Sequence, residues 1–109
     1  MDSIIVNGKT FVAVDSTEYV IVRTYSAGVH FGIVKTRNGK EVVLQNSRRI
    51  WYWEGAASLS QMATDGVSKP EKCKFSVSVL EIILTEAIEI ISCSKKATKC
   101  ILEVPEWKV

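Results

Sequence analysis

Two arginines and three large aromatic side chains fall together in Ser47-Arg48-Arg49-Ile50-Trp51-Tyr52-Trp53. A guanidinium presents paired N–H donors that match phosphate or carboxylate oxygens, and indole and phenol rings offer flat faces on which a purine stacks. That combination is the chemistry of nucleotide recognition. Each base stacked on an aromatic ring is worth roughly 1 to 3 kcal/mol, and an arginine clamp adds charge-assisted hydrogen bonds, so a few such residues reach useful affinity without any catalytic group. The expected ligand-binding residues are Arg48, Arg49, Trp51, Tyr52 and Trp53, joined by Arg23, Tyr25 and His30 if their strands neighbour the Arg48 strand. The same residues also have a structural use, since strand aromatics pack in cores and arginines lie solvated or stacked over them. Exposure of the three rings decides between the two uses.

The inventory for catalysis is thin. His30 is the single histidine, so one chain cannot supply a metal site of several imidazoles. Cys73, Cys93 and Cys100 are odd in number and show no C-x-x-C spacing, which reads as reduced thiols used as small core hydrophobes. The carboxylates Glu41, Glu54, Asp65, Glu81, Glu86 and Glu89 are scattered, and neither a P-loop nor a dinucleotide fingerprint occurs. No enzyme activity, metal or cofactor is expected.

The elements that would position these residues follow from pattern. With 109 residues, 47% hydrophobic and 24% charged, the chain suits one globular domain spanning residues 1–109. A net charge of +2 is too balanced for bulk electrostatic coating of DNA, so any anion site must be local. The start Met-Asp-Ser-Ile-Ile lacks a basic and apolar leader, and residues 79–93 carry Glu81, Glu86 and Glu89. A carboxylate at the bilayer centre costs roughly 2.5 to 3.5 kcal/mol, so no membrane span is expected and the chain reads as cytoplasmic.

β-Branched runs at residues 4–6 and 10–14 flank Asn7-Gly8 and predict a hairpin, before a break at Asp15-Ser16. Residues 19–25 alternate, with Val20, Val22 and Thr24 on the better core face. Residues 30–37 and 41–45 flank Asn38-Gly39 as a second hairpin, and residues 48–53 form another strand, with Arg48, Ile50 and Tyr52 on one side and Arg49, Trp51 and Trp53 on the other. Apolar spacing at Ala56, Leu59, Met62 and Ala63 predicts a helix over 56–65, with Ser58 and Gln61 as a capping box and Gly66 as its end. After the break at Ser68-Lys69-Pro70, strands are expected at 74–77, 79–84 and 88–92, then a Ser94-capped helix to Leu102 that turns Ala97, Cys100 and Ile101 inward, with Pro105 as its stop. The fold class is α+β: a curled antiparallel sheet or small barrel with one packed helix and a short C-terminal helix.

Tyr25-Ser26-Ala27-Gly28-Val29-His30-Phe31-Gly32, the run from Arg48-Arg49-Ile50 through Trp51-Tyr52-Trp53-Glu54-Gly55-Ala56, and the 59–66 helix followed by Pro70 and Cys73 together resemble a family of small proteins of unknown function encoded by tailed bacteriophages and prophages. The resemblance spans residues 19–101 and implies expression in the cytoplasm of an infected bacterium. It supplies no catalytic residues. By analogy it implies an accessory factor acting on host enzymes, nucleic acid or antiphage defence signals, among them cyclic and ADP-ribose-type nucleotides. The leading expectation is a non-enzymatic homo-oligomer that sequesters a small anionic nucleotide. Its alternatives are a protein-interaction module docking on a host or virion protein, and a single-stranded nucleic-acid binder.

Overall fold

The computed structural model describes residues 3–6, 9–12 and 18–109. Strands β1 (Ser3–Val6) and β2 (Lys9–Val12) pair antiparallel, from Ser3↔Val12 to Val6↔Lys9, as a separate two-stranded sheet. This is the pairing expected around Asn7-Gly8. That turn itself, Ala13 and Val14 of the expected second strand, and the break at Asp15-Ser16 lie outside the described residues.

The main sheet has six antiparallel strands: β3 (Tyr19–Thr24), β4 (Val29–Asn38), β5 (Glu41–Tyr52), β6 (Lys74–Phe75), β7 (Val79–Leu84) and β8 (Ala87–Ser92). Their order is β6-β5-β4-β3-β8, with β7 also paired to β5. The first part of β5 carries β7 and its last part carries β6. The segments expected at 41–45 and 48–53 therefore belong to one long strand, because the chain passes Asn46 at φ 51° without leaving the sheet. Asn tolerates that left-handed conformation better than most residues.

Consecutive strands β7 and β8 lie at opposite margins of the sheet, one on β5 and the other on β3. Side chains from both margins still meet in one cluster, where Val20, Val22, Val42, Leu44 and Leu84 are buried with Ile82 and Ile90 packed against them. Only a curled sheet brings its margins together in this way. Ala87 N donates to Lys40 O at 3.0 Å and Tyr25 N to Glu86 O at 2.9 Å, fastening the β7–β8 connection to the two hairpin turns. The ladder is not closed: β7 and β8 do not pair among the described residues, so the curled sheet stands and the barrel alternative is corrected. Among the described residues each of the two pairs on one side only, β7 with β5 and β8 with β3.

The opposite face of the sheet is covered by α1 (Leu59–Asp65) and α2 (Lys95–Glu103). Ile21, Phe31, Ile50 and Phe75 of the sheet pack there with Met62, Ala63 and Ile101. Strand β3 is consequently buried on both faces, Ile21 as completely as Val22, where sequence alternation favoured one. Helix α1 begins three residues later than the spacing predicts, because Ser58 is its N-cap and accepts from Gln61 N at 3.1 Å. Gln61 returns its side-chain oxygen to Ala57 N at 2.7 Å, so Ala56 and Ala57 precede the helix. Gly66 ends it, as expected. A 3-10 turn at Pro70–Lys72 precedes β6, and Ser94 caps α2 by accepting from Ala97 N at 3.0 Å. Among the described residues no helix is long and apolar enough to cross a membrane.

Candidate functional site

Alternation along β5 sends Arg48 and Arg49 to opposite faces of the sheet, and their fates differ completely. Arg48 is buried beneath the helices. Its Nε donates to Ser76 O at 2.9 Å, Nη1 to Ile101 O at 2.7 Å, and Nη2 to Phe75 O at 3.2 Å and Pro105 O at 3.5 Å, while the guanidinium lies 5.5 Å from the centre of the Phe75 ring. Four backbone carbonyls, one of them in the last turn of α2 where the helix dipole is negative, take the place of a carboxylate. Burial lowers the guanidinium pKa, opposed by the field of Glu106. Arg48 is therefore an internal staple joining β5, β6 and the segment after α2, a correction to its expected place in a ligand clamp.

His30 is corrected in the same way. It sits opposite Arg49 on β5 and Val22 on β3, fully buried, with Nε2 2.9 Å from Ala27 O. A carbonyl accepts only, so Nε2 carries the proton, and Nδ1 is left bare and buried without a hydrogen-bond partner. Desolvation lowers the imidazole pKa, the bond to Ala27 opposes that, and the Arg49 charge lowers it further. The folded protein thus holds His30 neutral where the unfolded chain protonates near pH 6.5. Above that pH the group contributes no pH dependence. Below it the unfolded state binds the extra proton, so stability falls by up to about 1.4 kcal/mol per pH unit until the folded pKa is reached. Denaturant titrations at about pH 7.5 and about pH 5 should show this excess loss in the wild type and not in His30→Gln; equal losses in both would refute the assignment.

The other expected site residues reach the surface in separate places. Arg49 is exposed, with its backbone exchanging hydrogen bonds with Ser76. Arg23 is exposed but engaged by Glu89 at 2.8 Å, and Tyr25 projects at the β3–β4 turn. Trp51 is 64% exposed, whereas Trp53 is half-buried against the helix-side core with its indole N–H donating to Ala56 O at 3.2 Å. Trp53 departs from the face of Arg49 and Trp51 because the β5–β6 register shifts between Ile50 and Tyr52 and the strand then ends.

Tyr52 belongs to a group that local sequence does not reveal. Paired to it across the strands is Lys74, whose ammonium lies 5.8 Å from the centre of the Tyr52 ring and 5.5 Å from that of Trp107. Trp107 is brought in by a parallel bridge between Phe75 and Glu106 and by its own N–H donating to Phe75 O at 2.8 Å. Both rings remain about half-exposed, Tyr52 at 44% and Trp107 at 51%. The Tyr52 hydroxyl donates to Glu54 at 2.9 Å, which pushes the phenol pKa up. Neither Lys74 nor Trp107 carried a signal in the sequence, since both reach Tyr52 only through the two-residue strand β6 and the chain beyond α2.

A groove of about 490 Å³ runs between the 3-10 turn and α2, lined by Pro70, Glu71, Lys96, Lys99, Glu103 and Pro105. Among the described residues no three His, Cys, Asp or Glu side chains converge as a metal would require. Burial pushes the Cys93 thiol up to about 12, and Cys73 is also raised chiefly by burial, so both are protonated at neutral pH. What the surface offers is two rings flanking a cation, with Trp51 and Arg49 nearby in sequence.

Comparison with known proteins finds that residues 17–101 match a family described as a domain of unknown function (DUF6948). No curated protein and no solved structure matches the chain.

Proposed function

The chain belongs to this family of domains of unknown function (DUF6948), and from its exposed chemistry we propose a non-catalytic protein that binds and sequesters a small anionic nucleotide-type ligand. The observation that carries the reading is the Lys74 ammonium flanked by the half-exposed rings of Tyr52 and Trp107. A base stacks on a ring face while its phosphate takes the ammonium. The magnitudes favour exchange: an exposed cation–π contact is worth about 0.5 to 1 kcal/mol, against roughly 1 to 3 kcal/mol per stacked base. Glu54 supplies an opposing charge beside Tyr52, so affinity rests on stacking and on Lys74 together. Trp51 and Arg49 are exposed as well but are not part of this group; Arg48 and His30, being internal, take no part. The setting proposed is the cytoplasm of a phage-infected bacterium, where capture of a defence signal would be the whole activity.

Binding to the native state raises its melting temperature, by an amount equivalent to about 2.7 kcal/mol at a ligand concentration about one hundred times Kd. Thermal-shift and calorimetric titrations against cyclic dinucleotides, ADP-ribose and mononucleotides should therefore give a saturable signal with at least one of them. Trp107→Ala and Lys74→Ala should each weaken binding about tenfold, in line with the loss of one stacked ring or one charge-assisted bond. Absence of any stabilisation, or full affinity in both variants, would retire the proposal.

A further inference from the structure

We infer that the free edge of β7 is a self-association surface at which two copies of this chain pair their β7 strands antiparallel about a two-fold axis. The inference is independent of the ligand reading. One side of β7 is bonded to β5; the other has no partner strand among the described residues. Protein sheets usually blunt such edges with lysine, proline, a bulge or a covering loop. Here the edge sequence Val79-Leu80-Glu81-Ile82-Ile83-Leu84 has no lysine or proline, and its register against β5 stays in step from Val42↔Leu84 to Gln45↔Glu81 and on to Ser47↔Val79. Leu80 and Ile83 are 86% and 58% exposed, and Val77 and Val79 are exposed as well.

The chemistry of the edge selects its occupant. Glu81, the only charge on the strand, is already held by Lys35 of the same chain at 3.0 Å. The edge is thus apolar and internally neutralised, offering no complement to an acidic or basic peptide. A second β7 matches it, because the strand satisfies its own row of N–H and C=O groups when reversed. A two-fold normal to the sheet keeps every side chain on its own face, so opposed residues must be an even number of positions apart. Centring the axis on Ile82 sets Leu80 across from Leu84 of the second copy and Glu81 across from Ile83 of the second copy. Centring it on Glu81 would oppose two carboxylates, which is disfavoured.

Sedimentation of the full chain over a concentration range of about 1 to 100 µM should show a reversible monomer–dimer equilibrium. Leu80→Lys and Ile83→Lys, both at exposed positions, should raise the dimer Kd about tenfold or more while leaving circular dichroism and the thermal transition of the monomer intact. Amide exchange across residues 79–84 should slow as protein concentration rises. A monomer throughout the range would overturn the inference, as would a dimer indifferent to both lysines whose β7 amides exchange at the same rate at every concentration.

Discussion

Replacing Arg48 by methionine is expected to lower the unfolding free energy by about 3 to 5 kcal/mol. The mechanism is not the loss of a salt bridge, for the guanidinium's partners are backbone carbonyls. Methionine fills much of the volume but leaves the carbonyls of Phe75, Ser76, Ile101 and Pro105 without their donor. Each buried acceptor deprived of its bond loses about 1 to 3 kcal/mol, less whatever water can enter to replace it. Against a typical total of about 5 to 15 kcal/mol for a domain, that loss is large. Arg48→Lys should recover only a minor part of it, because an ammonium is a compact donor that cannot span four carbonyls approached by a planar fork. Urea unfolding followed by tryptophan emission measures both variants; a shift for Arg48→Met of under about 1 kcal/mol would show that the staple is dispensable.

The second large effect is at Gly55. Its φ of 92° is in a region that side chains rarely adopt, and a Cβ there would stand 2.5 Å from both Ser68 N and Ser68 Oγ and 2.7 Å from Lys69 N. Two of those atoms are backbone and cannot swing aside. The same approach carries the hydrogen bond from Ser68 N to Gly55 O at 3.2 Å, which ties the end of β5 to the loop after α1. Gly55→Ala should therefore destabilise by roughly 3 kcal/mol or more, combining conformational strain with the collision. Gly28→Ala is the matched control: φ is 83°, but nothing lies within 4 Å of the added carbon, so only the strain of about 1 to 2 kcal/mol applies. Equal destabilisation of the two variants in thermal unfolding would mean that the close approach at Gly55 is relieved at no cost.

Much of the architecture was legible because local signals agreed with one another. Period-two alternation and turn residues found the strands of the main sheet, and Ser58, Gly66, Ser94 and Pro105 bounded the helices through capping and stop chemistry that requires no tertiary knowledge. The continuity of β5 was hidden because the pattern ends one run at Gln45 and opens the next at Arg48, while pairing on both sides holds the strand together past Asn46. The two-sided burial of β3 was hidden because alternation assigns faces without saying how many are covered.

The candidate site shows the same division. Arg48 shares a strand face with Ile50, a relation visible in the sequence, yet which face lies beneath the helices is settled by tertiary packing alone. His30 was expected to join the site if its strand neighboured that of Arg48; β4 does pair with β5, yet the fold uses the ring as a neutral core side chain. Tyr52 was found, but its companions Lys74 and Trp107 come from distant segments joined by one short strand and a single bridge. Such long-range meetings leave no periodic trace.

The staple at Arg48 also constrains the order in which the molecule can be completed during synthesis. Ile101, which accepts from Nη1, lies 53 positions after it. At about 5 to 20 residues per second, the ribosome takes about 3 to 10 s to make the intervening chain. Until Ile101 and Pro105 are made, the guanidinium lacks two of its four carbonyl acceptors, and the apolar strip around Ile50 has α1 but not α2 to cover it. The nascent polypeptide thus passes through a stage with a partly open, sticky sheet face, and its yield in a cell should depend on how fast translation delivers α2 and on which chaperones shield the gap.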